Sequence, residues 1–437
     1  MTFACRAAAA LVGVGWLVAQ LRADDWPQWR GPQRDGVWRE TGIVEKFDAP
    51  RVMWRWSAEI GSGYSGPTVA AGRVYVTDRV REPSQQERVH CFDAHSGAKV
   101  WSDAYDCPYS IGYEAGPRAS VSIDSGRAYA LGGMGHLRCY DAAKGDLLWQ
   151  HDLNAEYKIR MPIWGIAASP LVDRDLCIVQ IGGSENACLV AFDKLTGKER
   201  WRALGDEASY AAPIIIEQAG RRVLLCLTGG NLAGLDPASG NVFWTVPFKP
   251  HKMVISISTP VVSGQRAFVT SFYDGSLMVQ LDDQQPTAHE LWRRMGLDEK
   301  TTDALHSIIA TPLFLGNYVY GVDSYGELRC LDAATGDRLW TSTLATPPAR
   351  WSNIHMVLNP VAAPEPRVWM FNERGELLIT RLSPKGYEEI SRTKLIDPTT
   401  DQLRQRGGVC WAHPAYADRC VFARNDKELV CASLAAE

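Results

Sequence analysis

The chain has 437 residues, 46% of them apolar and 22% charged, a globular balance that excludes a disordered polyelectrolyte. Lys and Arg number 46 against 50 Asp and Glu, a net charge of −4, so no basic surplus points to nucleic acid. Sixteen Trp together with 38 Gly and 24 Pro favour short strands joined by tight turns.

The first segment, MTFACRAAAALVGVGWLVAQLRA (1–23), places Arg6 ahead of a mostly apolar run from Ala7 to Leu21, with small residues at Ala19 and Ala23. This is the pattern of a secretory signal peptide. The run falls short of the ~20 residues a spanning helix needs, and an uncleaved anchor is the alternative. The expected location is the periplasm or the cell exterior of a bacterium. Residues 24–50 open with DWPQWRGPQRDGVW (25–38), too rich in Trp, Pro and Gly for a regular helix or strand. They are expected to pack as an ordered segment on the domain that follows, with the indoles as anchors.

From about 51 to 437 one unit repeats. CFDAHSGAKVW (91–101), CYDAAKGDLLW (139–149), AFDKLTGKERW (191–201), GLDPASGNVFW (234–244) and CLDAATGDRLW (330–340) are strong copies, and QLDDQQPTAHELW (280–292) is a weaker one. Their last residues, Trp101, Trp149, Trp201, Trp244, Trp292 and Trp340, recur every ~43–52 residues, a propeller-like period. Each unit opens with a small residue or Pro before an apolar strand and passes through two turns. An Asp-x-x-(Ser/Thr)-Gly turn then precedes a fourth strand ending on Trp. In that turn the Asp accepts backbone hydrogen bonds and the Gly takes a positive φ. Four antiparallel strands make one blade.

Units beginning near Pro67, Ser120, Pro170, Pro213, Pro260, Pro312, Pro360 and Pro414 give eight blades. The seventh, through ITRLSPKGYEEIS (379–391), keeps the turn without its Asp or Trp. The eighth has only three strands. VMWRWSAE (52–59) supplies the fourth from the other end of the chain, with Trp54 or Trp56 in the Trp position. The expected fold is all-β, an eight-bladed propeller of four-stranded antiparallel blades, closed by the N-terminal strand so that no sheet edge is left open.

The repeat resembles the PQQ-like repeat family, whose eight-bladed propellers occur in quinoprotein dehydrogenases and in the outer-membrane assembly scaffold lipoprotein. The 25–38 stretch resembles the opening of secreted propellers of planctomycete-type bacteria. The resemblance implies that each Trp packs between neighbouring blades and each Asp-to-Gly turn locks the last two strands. Those structural roles fall to Asp93, Gly97 and Trp101; Asp141, Gly145 and Trp149; Asp193, Gly197 and Trp201; Asp236, Gly240 and Trp244; and Asp332, Gly336 and Trp340.

The resemblance also raises a quinoprotein oxidoreductase holding PQQ with calcium. Against it, the sequence has no adjacent Cys pair and no Cys-x-x-Cys-His haem motif, and it is short for the insertions such enzymes use. No His-x-x-x-His or Cys-x-x-Cys spacing supports a metal. GGMGH (132–136) and GGSEN (182–186) lie in hairpin turns rather than ahead of helices, so they are not expected to cradle phosphate. The expectation is an exported, non-catalytic binding or scaffold propeller, monomeric and without cofactor, whose partner is a protein or small ligand of the cell envelope. A PQQ-dependent oxidoreductase, or another propeller enzyme using a His-rich mouth, is the alternative. Ten cysteines follow Cys5, mostly in apolar strand-like runs. Cys177/Cys188 and Cys420/Cys431 share one spacing and each flank a hairpin turn, open either to a disulfide across two strands or to buried free thiols.

Any ligand is expected at the axial mouth, where the segments entering the first strands converge. The candidates are Glu114, Arg118, Trp164, His306, His355, Trp411 and His413; Trp164 and His306 share a register six residues before Pro170 and Pro312. One carboxylate, one guanidinium, two indoles and three imidazoles suit a planar or anionic ligand. The imidazoles would make binding change between about pH 5 and 8.

Overall fold

The computed structural model describes residues 24–362 and 365–436; the expected signal peptide lies outside them. Eight four-stranded antiparallel sheets form the ring. Blade one is built from Thr68–Ala70, Arg73–Val80, Gln86–Asp93 and Lys99–Asp106. Later blades repeat that order, with first strands at Ser122–Asp124, Leu171–Asp173, Ile214–Gln218, Val261–Ser263, Leu313–Leu315 and Ile354–Asn359. These first strands neighbour one another around the axis. Blade seven therefore starts before the position read from the sequence. Pro360 sits in the turn after the first strand, where its missing N–H costs no ladder bond.

Blade eight confirms the closure. Its strands run in the order Trp54–Glu59, Glu428–Ser433, Cys420–Arg424, Ala415–Ala417, with Trp56 opposite Cys431 and Glu59 opposite Glu428. Trp56, not Trp54, takes the repeat position: Trp56 Nε1 donates to Ala94 O of blade one (2.9 Å), whereas Trp54 Nε1 donates to Leu395 O (2.7 Å).

The repeat is an interlock between blades. Trp101 Nε1 donates to Ala142 O (2.9 Å), Trp149 to Lys194 O (3.2 Å), Trp201 to Pro237 O (3.1 Å) and Trp292 to Ala333 O (3.0 Å). In each case the acceptor is the residue after the Asp of the next blade's turn. That Asp folds the turn: Asp93 Oδ1 accepts from His95 N, Ser96 N and Ser96 Oγ, and Gly97 N returns to Asp93 O. The glycine is required twice over. Gly145 has φ +80°, and a Cβ there would stand 2.6 Å from the Trp101 ring. Trp244 uses a relay instead, donating to Gln218 Oε1, while Gln218 Nε2 donates to Thr287 O. Trp340 still donates to Ser383 O of blade seven (2.8 Å). The interlock needs a carbonyl there, not an Asp, which is how blade seven tolerates its degenerate turn.

The apolar core lies between neighbouring blades. Blades two and three enclose Tyr129, Leu137, Val179 and Phe192, and blades four and five enclose Val223, Leu225, Val269 and Leu277. Blades seven, eight and one share a larger cluster that takes in Trp26 and Trp38 of the N-terminal segment.

That segment crosses the turn end of the axis. Trp26 pairs with Val69 of blade one, Pro27 O accepts from Ile123 N of blade two, and Gly36 and Trp38 bond Leu358 of blade seven. Arg34, buried, donates to Pro213 O (3.0 Å), and also to Pro170 O, near the axis. Burial pushes its guanidinium down to about 9.

All ten described cysteines are free and buried. The expectation that each pair faces across two strands is corrected for Cys177 and Cys188 by the register, while Cys420 and Cys431 sit diagonally across their two strands with the thiols in contact. Cys177 lies opposite Phe192, and a bulge between Gln180 and Gly183 shifts the rest of that hairpin. Cys420 lies opposite Ser433 and Cys431 opposite Phe422.

Candidate functional site

The segments entering the first strands surround an axial cavity of about 220 Å³. Nine aromatic side chains line it, among them Tyr64, Tyr113, Trp164, Tyr210, Trp351 and Trp411; Trp29 of the N-terminal segment joins them. The rings touch. Tyr113 lies 6.1–6.2 Å, centroid to centroid, from Trp164, Trp351 and Trp411, and Trp164 lies 5.5 Å from Tyr210. Tyr113 and Trp351 both sit on left-handed backbone (φ 53° and 68°). For non-glycine residues that conformation costs about 1–2 kcal/mol each, and such strain gathers at functional sites.

Five of the seven candidates line this cavity: Arg118, Trp164, His355, Trp411 and His413. Arg118 is anchored by backbone carbonyls, donating to Gly112 O (2.8 Å), Tyr113 O (2.5 Å) and Gly116 O, and stacks 4.9 Å over Tyr64. His355 Nε2 donates to Trp411 O (2.8 Å). His413 bonds Ser120 Oγ (2.7 Å), and its ring lies 4.4 Å from Trp29. Trp411 Nε1 is buried without a hydrogen-bond partner.

Glu114 and His306 do not line it. Glu114 projects outward, its carboxylate 56% exposed and 3.9 Å from Arg79. His306 is buried between loops, with Nδ1 donating to Phe272 O (3.0 Å) and Nε2 accepting from Gly296 N (3.2 Å). The shared six-residue register was therefore not the controlling one. What recurs, in seven of the eight blades, is the third residue before the one that leads into the first strand. Tyr64, Ala167, Tyr210, Ile257, Ile309 and Trp411 stand three before Pro67, Pro170, Pro213, Pro260, Pro312 and Pro414, and Arg118 stands three before Val121. All seven line the cavity. In an extended segment alternate residues share a face, so Ser169, Ala212 and His413, just before Pro170, Pro213 and Pro414, line it too. That register is readable from the sequence. The contributions of Trp29, Tyr113, Phe272 and Tyr273 are not, since no repeat position marks them.

The expected titration of the mouth between pH 5 and 8 is also corrected. Burial pushes His355 down to about 4 and His413 down to about 3, the latter helped by His355 itself. Both are neutral across that range. Burial raises Tyr210 to about 12 and Tyr64 further. The lining is apolar and aromatic, with one cation and no carboxylate. A quinone tricarboxylate with calcium needs several cations and a set of oxygen ligands; this donor set does not fit it.

An eight-blade ring held by Trp-to-turn interlocks defines a PQQ-like repeat propeller, with an aromatic axial cavity. The family model described as outer membrane protein assembly factor BamB matches residues 85–342 and 254–434, and the chain belongs to that family. Among curated proteins it is 24% identical over 261 residues to the outer membrane protein assembly factor BamB of Yersinia pestis, covering 56% of this chain. The chain spans 61% of that relative's length. Over 158 residues it is 30% identical to a quinone-dependent 1-butanol dehydrogenase of Thauera butanivorans, covering 32% of this chain and 24% of the enzyme. The solved structure of BamB from Moraxella catarrhalis superposes with a TM-score of 0.58 at 15% identity, over 87% of this chain and 99% of that one, a likeness of fold. Among the described residues, no helix is long and apolar enough to cross a membrane.

Proposed function

We propose that the protein is an exported, non-catalytic scaffold propeller of the bacterial envelope that holds a protein partner at its axial cavity. The observation that carries this is the convergence of nine aromatic rings on one cavity, two of them on strained backbone. A volume of about 220 Å³ exceeds the ~150 Å³ that holds benzene and suits one large aromatic or aliphatic side chain. Trp164 and Trp411 supply contact area and Arg118 a fixed stacking plate. His355 and His413, neutral and hydrogen-bonded, hold the base of the cavity. Neither histidine changes charge near neutral pH, so the lining favours binding over proton transfer. The family's printed name, outer membrane protein assembly factor, supports a protein partner. The signal-like pattern of residues 1–23 supports export to the periplasm or beyond.

A photo-crosslinking residue at Tyr210 tests this in envelope preparations, with the same residue at Leu195, exposed on an outer turn, as control. A discrete adduct from position 210, lost in Trp164→Ala, supports the reading. Equal yields from both positions, or an adduct indifferent to Trp164, overturn it.

A further inference from the structure

Away from the axis, one of the most deeply buried carboxylates among the described residues has no ion-pair partner. Among the described residues, four carboxyl residues are exposed by 2% or less: Asp78, Glu87, Asp323 and Glu373. Asp78 pairs with Arg88, Asp323 with Arg329 and Glu373 with Arg406. Glu87, 0% exposed, has no ion-pair partner among the described residues. It has hydrogen-bond donors instead: Tyr105 OH (2.6 Å), Gly133 N (2.9 Å) and Tyr109 OH. Hydrogen bonds orient a carboxylate, but a buried charge without a cation remains costly.

Two metal-ligating side chains meet it there. Cys107 Sγ and His136 Nδ1 lie 3.7 Å apart, and with a Glu87 oxygen the three atoms fall within 4.8 Å of one another. Ligands on one tetrahedral zinc stand ~3.3–3.8 Å apart, from bonds of ~2.0–2.3 Å, so the sulfur and nitrogen are already at ligand separation. The backbone makes room for the carboxylate. A Cβ on Gly132 would stand 2.1 Å from Glu87 Oε2, and one on Gly133 would stand 3.0 Å from Tyr109 OH. The first two glycines of GGMGH thus leave room for Glu87 and its partner Tyr109, and the motif's last residue is the imidazole itself.

We infer that Glu87, Cys107 and His136 form a binding site for a thiophilic divalent cation of the zinc type. A thiolate, an imidazole and a carboxylate are a zinc ligand set, with a fourth position left to water. Tyr105, Tyr109 and Gly133 are the outer partners that hold a ligating carboxylate in place. His136 is half-exposed and gives the ion its way in. On binding, the Cys107 S–H bond breaks, the sulfur bonds the metal, and the proton leaves to solvent. The ligands come from the third strand of blade one, the connection after that blade and the third strand of blade two. The ion would therefore tie the two blades together at the end of their strands opposite the Trp interlock.

The test is titration of the chelator-treated full chain with Co²⁺ and Zn²⁺, read by absorbance, metal content and thermal midpoint. The expected result is one equivalent bound, a sulfur-to-cobalt charge-transfer band and a raised midpoint with zinc. Cys107→Ser should abolish the band, and His136→Ala and Glu87→Gln should each weaken binding at least ~10-fold. His136 is partly exposed, so its variant keeps the test valid if the Cys107 variant does not fold. Absence of saturable binding, a band that survives Cys107→Ser, or affinity unchanged in His136→Ala and Glu87→Gln would overturn the inference.

Discussion

Two glycines of blade two separate backbone strain from the interlock. Gly126 and Gly145 have nearly equal φ, +76° and +80°. A Cβ at Gly126 meets nothing within 4 Å, while one at Gly145 stands 2.6 Å from the Trp101 ring. Gly126→Ala should cost only the left-handed term, about 1–2 kcal/mol. Gly145→Ala carries the same term plus overpacking of about 1–3 kcal/mol, because Trp101 is buried and fixed by its bond to Ala142 O. The expected gap between the two variants is therefore about 1–3 kcal/mol. Equilibrium denaturation with urea, compared at constant slope, measures it. Trp101→Ala alone should cost about 3–5 kcal/mol. In that background Gly145→Ala should fall back to the cost of Gly126→Ala, so the double mutant is about 1–3 kcal/mol less destabilised than the sum of the single ones. Equal costs for the two glycine variants, or no coupling with Trp101, would refute the interlock as a rigid contact.

Closure makes a second prediction: deleting residues 24–60 removes the fourth strand of blade eight and the segment across the axis, so the whole ring should lose stability. A thermal midpoint unchanged by that deletion would contradict the pairing of Trp54–Glu59 with Glu428–Ser433. The buried histidines make a third. The unfolded chain takes up protons near pH 6.5, whereas His355 and His413 in the folded protein stay neutral down to about 4 and 3. Stability should be full above pH 6.5 and fall as the pH drops toward 4, by about 1.4 kcal/mol per pH unit for each histidine. His355→Gln with His413→Gln should flatten that slope, and partner binding should stay level from pH 6.5 to 8.

The sequence by itself determined the ring. Trp and the Asp-to-Gly turn are local signals, and they recur because each blade meets its neighbour through the same contact. Counting the unit starts between them gave the eight blades, and the strand missing from the end of the chain identified residues 52–59 as its completion. One more periodic feature is readable there, the lining position three residues before the residue that leads into the first strand in seven of the eight blades. What only the tertiary structure decided lacks a period. Burial, not residue type, made His355 and His413 neutral, and it set His306 between loops instead of in the mouth. Strand register parted Cys177 from Cys188 by setting Cys177 opposite Phe192, and left Cys420 and Cys431 in contact on a diagonal. Trp29 reaches the cavity from a segment that carries no repeat. Glu87, Cys107 and His136 come from three stretches with no common spacing, and only the packing of blade one against blade two brings them within 4.8 Å.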